Sequence, residues 1–192
     1  MLFTVSLGPK TPALTIDGHY GNPYPSTWGP ATALTLWFPV TVLIPGATAP
    51  GTTFGEVFSR DLTRNVKPGG FRPVVTPVRD PQINGKSFFV ETTGATANPL
   101  FTWSAPATGS PDLYHVDILH AVVAGGKVSF EQVAFMYTDE TSVRVPPDVL
   151  QFGESYVAVI FAEVGEGMRV TRPWMRPARY GVATCVSARF TP

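Results

Sequence analysis

Cysteine is nearly absent from this 192-residue chain: Cys185 stands alone. A disulfide framework and a cysteine-based zinc cluster are therefore excluded. Charge is scarce too, since Asp, Glu, Lys and Arg make up only 15% of residues, against roughly 25% in average soluble domains. Helical surfaces draw on those residues, so the shortage leans away from a helical protein. The 14 basic and 14 acidic side chains cancel, which argues against a nucleic-acid or anionic-membrane partner held by a broad basic field. The longest apolar run, Leu36–Ile44, contains Pro39 and falls far below the roughly 20 residues of a membrane span. Met1 is followed by Leu2-Phe3-Thr4-Val5 without a basic n-region, so an export signal is not expected in this chain. Catalytic signatures are missing as well. There is no Gly-x-Ser-x-Gly elbow, no P-loop, no Gly-x-Gly-x-x-Gly after a strand and no calcium loop.

Hydrophobic residues reach 44%, enough to bury a core. The 18 glycines and 20 prolines are roughly a fifth of the chain, against about 12% on average. They punctuate apolar segments of period two, the mark of short strands. Tyr114, Val116 and Ile118 share one face of the clearest such segment, and Ser155–Ala162 is apolar on both faces, as a central strand is. Further strands are expected over Leu100–Trp103, Val128–Tyr137, Ser142–Val145 and Ala183–Phe190. Upstream, Thr4–Leu7, Ala13–Ile16, Ala33–Ile44, Phe71–Thr76 and Ser87–Thr92 read the same way. Trp37, inside one of these, reads as core. Cys185 reads as a small buried apolar residue on a strand. One segment carries a helical alternative: Thr53-Phe54-Gly55-Glu56 has the form of a capping box, and Phe54, Val57, Phe58 and Leu62 recur at helical spacing. The expectation is an all-β sandwich with at most one short helix. Pro73–Pro81 is the candidate boundary, a linker or an extended entry strand. It divides a β-rich unit of unassigned type, residues 1–79, from a sandwich over 80–192.

Three motifs in the second part resemble the fibronectin type III family, an immunoglobulin-like β-sandwich. Phe101-Thr102-Trp103-Ser104-Ala105-Pro106 is similar to its strand B, whose Trp fills the core. Tyr114-His115-Val116-Asp117-Ile118 resembles its strand C. Leu150-Gln151-Phe152-Gly153-Glu154-Ser155-Tyr156 looks like its E–F corner, where a Tyr hydroxyl bonds to backbone a few residues upstream. Phe152 stands where the family often has Pro, and residues 1–79 have no counterpart in it. The resemblance implies a non-catalytic binding or spacer module. Composition rich in Thr, Pro, Gly and Val resembles exported bacterial β-modules, which places it by analogy outside the cytoplasm, secreted, periplasmic or attached to the surface as a lipoprotein.

Candidate sites are few. His115 and Asp117 alternate to one face of their strand, but no spacing supplies further metal ligands, so neither metal nor cofactor is expected. Asp139 and Glu140 are adjacent in a turn and do not converge on one bond. The connection Gly165–Gly181 holds Arg169, Arg172, Trp174, Met175, Arg176 and Arg179, stiffened by Pro173 and Pro177. Arg and Trp are enriched at binding hot spots, so this loop is the candidate protein-binding surface. The competing reading has Trp174 folded back as a seal between the two parts, with the arginines paired to carboxylates. Tyr20, Tyr24 and Trp28, set among Gly, Asn and Pro, are candidates for stacking on a sugar. That makes a carbohydrate-binding module the alternative function, with a cover for the sandwich end as the bland account of the same rings.

Overall fold

The computed structural model describes residues 25, 27, 29–67 and 72–192. The strands expected over Thr4–Leu7 and Ala13–Ile16, and the Tyr20, Tyr24 and Trp28 cluster, lie outside the described residues. The described chain is all-β. Ten strands run in the order β1 Ala31–Val42, β2 Gly51–Leu62, β3 Arg79–Ile83, β4 Lys86–Ser87, β5 Leu100–Ser104, β6 Leu113–Ala124, β7 Lys127–Thr138, β8 Ser142–Arg144, β9 Tyr156–Gly165 and β10 Tyr180–Val186. A single 3-10 turn, Thr63–Asn65, follows β2. The strands form two antiparallel sheets, one of six in the order β1-β2-β10-β9-β6-β7 and one of four in the order β4-β3-β5-β8.

The inter-sheet core follows from side-chain alternation. Trp103 and Phe101 on β5 meet Tyr114, Val116 and Ile118 on β6 and Ala158, Ile160 and Ala162 on β9. Trp103 is 6% exposed, and its ring lies 5.2 Å from that of Tyr114. The corner tyrosine is present: Tyr156 is buried, and its hydroxyl accepts the Gln151 N–H at 2.9 Å. Gly153, between them, takes φ +82°, a conformation that costs a side chain energy and glycine nothing. Cys185 is buried, its Sγ 3.5 Å from the Val78 carbonyl oxygen, and burial pushes its thiol pKa up to about 11.

β9 is buried on both faces, so its odd residues serve a second cluster. Val157 and Val159 pack with Val42, Ile44, Ala121 and Val186 on the outer face of the large sheet, not in the inter-sheet core. The cover comes from the β1–β2 hairpin. Its base pairs with β10 from Val57 to Arg60, and its distal half leaves that strand and curls across the sheet. There the Thr48 N–H donates to the Gly126 carbonyl in the β6–β7 turn at 2.9 Å.

Several local expectations are corrected: residues 72–76 and 88–91 are irregular where strands were expected. Residues 53–62 are strand, not helix, because β2 pairs with β1 over twelve consecutive residues. Gly55, poor in a helix, lies beneath the Phe38 ring where a Cβ would overlap it. Trp37 is 71% exposed instead of core, because β1 is an edge strand and its distal half has left the sandwich. The Pro73–Pro81 stretch is an extended entry into β3, with Val75 and Val78 buried in the core.

Candidate functional site

Alternation along five strands aims one set of polar and aromatic side chains at the outer face of the large sheet. His115 and Asp117 come from β6, Phe135 and Tyr137 from β7, Glu163 and Phe161 from β9, Tyr180 from β10 and Arg60 from β2. The register makes His115 the cross-strand neighbour of Tyr137 on one side and Phe161 on the other. Its imidazole stacks on the Phe161 ring at 4.7 Å and 18°, with the Tyr137 ring also 4.7 Å away. The loop 166–179 covers the part of this face around Glu163 and leaves Phe135, 61% exposed, at its open margin.

At the centre is Glu163, 2% exposed. Tyr180 donates its hydroxyl hydrogen to Glu163 Oε2 at 2.8 Å, Arg176 Nη2 lies 3.6 Å from the same oxygen, and His115 Nδ1 lies 3.7 Å from Oε1. The other imidazole nitrogen, Nε2, sits 2.6 Å from Asp117 Oδ1. That contact is too bent to be a well-formed hydrogen bond, which leaves both atoms without a formal partner and makes it an ion pair held by charge. Burial by itself lowers the His115 pKa, but the contacts with and charges of Asp117 and Glu163 outweigh it and raise the value to about 9. Two cations and two carboxylates therefore balance in one cluster. Tyr180 is pushed up by burial and by the Glu163 charge, so it stays a neutral donor. A buried carboxylate is tolerated only where such partners offset its lost hydration.

The same cluster holds the loop. Asp112 Oδ2 accepts the Gly165 N–H at 2.8 Å where the loop begins. Arg60 Nη2 donates to the carbonyls of Arg176 and Pro177 at 3.0 and 2.7 Å, and the Arg176 guanidinium lies 4.9 Å over the Tyr180 ring. Met168 is buried beside Leu113 and Val182, with Met175 packed against them. Tight turns close the remainder, including Arg172 N–H to the Arg169 carbonyl at 2.7 Å.

The candidate binding residues thus divide. Arg176, though its side chain is 43% exposed, directs its guanidinium to Glu163 and over the Tyr180 ring, and Met175 is half-buried against Met168, so these two anchor the loop. Arg169, Arg172, Trp174 and Arg179 face outward. Trp174 does not fold back as a seal: it is 72% exposed. Arg179 makes a long contact with Asp61, 3.9 Å. Beside the loop, Asp112, Asp139, Met168, Arg169 and Val170 line an open cleft of about 490 Å³. Among the described residues no group of three His, Cys, Asp or Glu side chains is placed to hold a metal ion, and no helix is long and apolar enough to cross a membrane. His120, at the far end of β6, pairs with Glu154 at 3.1 Å, separate from the cluster.

Sequence reasoning placed His115 and Asp117 on one face without assigning them a role, singled out the loop as a candidate surface, and missed Glu163, Tyr180 and Arg60. One signal for Glu163 was present: it is the lone charge in the apolar run Val157–Val164. A charge in a strand buried on both faces needs a partner nearby. No protein-family model matches this chain, and no curated protein matches it either.

Proposed function

We propose that the protein is a non-catalytic module that binds another protein, that its C-terminal part from about residue 80 is a fibronectin type III-like sandwich, and that the loop 166–179 is its recognition surface. The strand arrangement supports the family reading. β3, β5 and β8 lie in one sheet and β7, β6, β9 and β10 in the other, with a buried tyrosine corner between them. The observation that carries the binding role is the 72% exposure of Trp174 on a loop clamped to a buried carboxylate, Glu163. An ordered loop loses little entropy on binding, and an exposed Trp among arginines suits a hot spot. The partner should carry carboxylates or planar groups, which guanidinium recognises best. Exported location, by analogy with similarly composed β-modules, accords with this role.

The test is binding to an array of acidic, aromatic-containing peptides by the intact protein and by a Trp174→Ala, Arg172→Ala double variant. Binding that falls at least tenfold with an unchanged melting temperature supports the reading. Equal binding by both proteins refutes it, and a large drop in melting temperature assigns these side chains to the fold.

A further inference from the structure

The edge of the large sheet has the wrong sequence for an edge. β1, Ala-Thr-Ala-Leu-Thr-Leu-Trp-Phe-Pro-Val-Thr-Val, carries no charged side chain over its twelve residues. It is apolar on both faces, as inner strands are, and of the devices that usually blunt a natural edge, charge, proline and short length, it carries only Pro39, in its distal half. Among the described residues no strand lies beyond it. Leu36, Trp37 and Phe38 are 48%, 71% and 38% exposed.

The hydrogen-bonding parity of β1 is fixed at two points. The Thr63 N–H donates to the Pro30 carbonyl at 2.8 Å, so in the unbroken register the even residues of β1 exchange hydrogen bonds with β2. In agreement, Glu56, opposite Trp37, turns its own N–H and C=O away from β1 to the Thr184 hydroxyl. The odd residues therefore aim their backbone outward. Ala31, Ala33, Thr35 and Trp37 each present an N–H and a C=O to the free edge. Pro39, next in the series, has no N–H to present and ends the pairable stretch.

We propose that β1 pairs antiparallel with β1 of a second copy of this chain, about a two-fold axis at Leu34. This register uses all four outward N–H groups of the strand and leaves Pro39 outside the ladder. It sets Trp37 opposite Ala31 of the partner subunit, and Thr35 opposite Ala33 of the partner subunit, so that a large side chain meets a small one at each rung. On the other face Leu34 meets Leu34 of the partner subunit. A two-fold antiparallel pair brings equivalent residues together near its axis, where like charges would repel. β1 has none, so a copy of itself fits this edge without an electrostatic penalty. The result is one sheet continuous across both subunits, a symmetric contact of the isologous kind.

Sedimentation velocity on the full chain tests the proposal, with a concentration-dependent dimer expected. Thr35→Pro removes an outward N–H at a position of the same parity as Pro39, and should yield a folded monomer whose melting temperature no longer depends on protein concentration. Should that variant fail to fold, cysteine cross-linking still decides. Leu34→Cys faces its own symmetry mate at about 4.5 Å between Cα atoms, within disulfide reach, and should give a covalent dimer under mild oxidation. Leu36→Cys, opposite Thr32 of the partner subunit, should not. A monomeric full chain overturns the proposal, and so does a dimer that survives Thr35→Pro or cross-links equally at both positions. A monomer that becomes dimeric when residues 1–24 are removed would show that the chain covers its own edge, which also overturns it.

Discussion

Alkaline pH should loosen the clamp beneath the loop 166–179, and His115 sets where. In the unfolded chain its pKa is the ordinary 6.5, and in the fold it rises to about 9. Between those values the folded state holds a proton that the unfolded state lacks. Stability therefore falls with rising pH across that window, by at most about 1.4 kcal/mol per pH unit. The contribution is fully present below pH 6.5 and gone above about pH 9. The whole displacement sets a ceiling of about 3 kcal/mol. The side chain is 17% exposed, and solvent screening reduces the expected value to about 2 kcal/mol. In a domain of this size that is roughly 4–8 °C in melting temperature. Other groups titrate in the same range, so the assay is the gap between the protein and a His115→Gln variant, melted at pH 6 and at pH 9.5. Gln keeps a polar side chain of similar reach and loses the charge. The gap should be wide at pH 6 and nearly closed at pH 9.5. A gap independent of pH, or an imidazole NMR titration centred near 6.5, would refute the assignment of His115 as the cluster's cation.

Four further outcomes are expected. Tyr156→Phe removes the acceptor of the Gln151 N–H and should cost about 1–2 kcal/mol in urea unfolding; a neutral result would mean that the corner does not pin the crossover. Trp103→Ala empties an aromatic site in the inter-sheet core and should cost about 3–5 kcal/mol, read from the same unfolding curves. Cys185, 8% exposed with its thiol pKa near 11, should resist a thiol reagent at pH 8 in the native protein and react once unfolded; rapid native labelling would contradict its place in the core. Glu163→Ala leaves His115 and Arg176 without their shared carboxylate and should cost about 3–5 kcal/mol, with protease cleavage in the loop 166–179 rising first.

Much of the fold was legible because alternation is a local signal. Tyr114, Val116 and Ile118 announced the inward face of β6, and Ser155–Ala162, apolar throughout, announced a central strand. Period alone does not say what covers a second face. It does not reveal that Val157 and Val159 pack beneath a hairpin from much earlier in the chain, against Val42 and Ile44. The same hairpin explains the misreading at Thr53–Glu56, where a local capping pattern yields to twelve cross-strand pairs. Tertiary pairing outweighs helix propensity here, as it commonly does. Trp37 failed for a related reason: hydropathy marks a strand as apolar without saying whether it lies inside a sheet or at its edge.

The candidate site was half legible, and the missing half is instructive. The loop from Gly165 to Gly181 declared itself by composition, but composition could not sort its arginines. All of them are exposed, yet only Arg176, four residues beyond Arg172, reaches Glu163 with its guanidinium. That sorting is decided by the strand beneath. Because β9 is buried on both faces, every side chain on it must be apolar or partnered, and Glu163 is the one that is not apolar. Its carboxylate can be hydrated neither by solvent nor by its own strand, so the polar groups that satisfy it must come from β6, β10 and the loop. The position of a single charge in an apolar run thus selects which loop arginine reaches down to the sheet. It leaves the others, together with Trp174, on the surface where a partner can meet them.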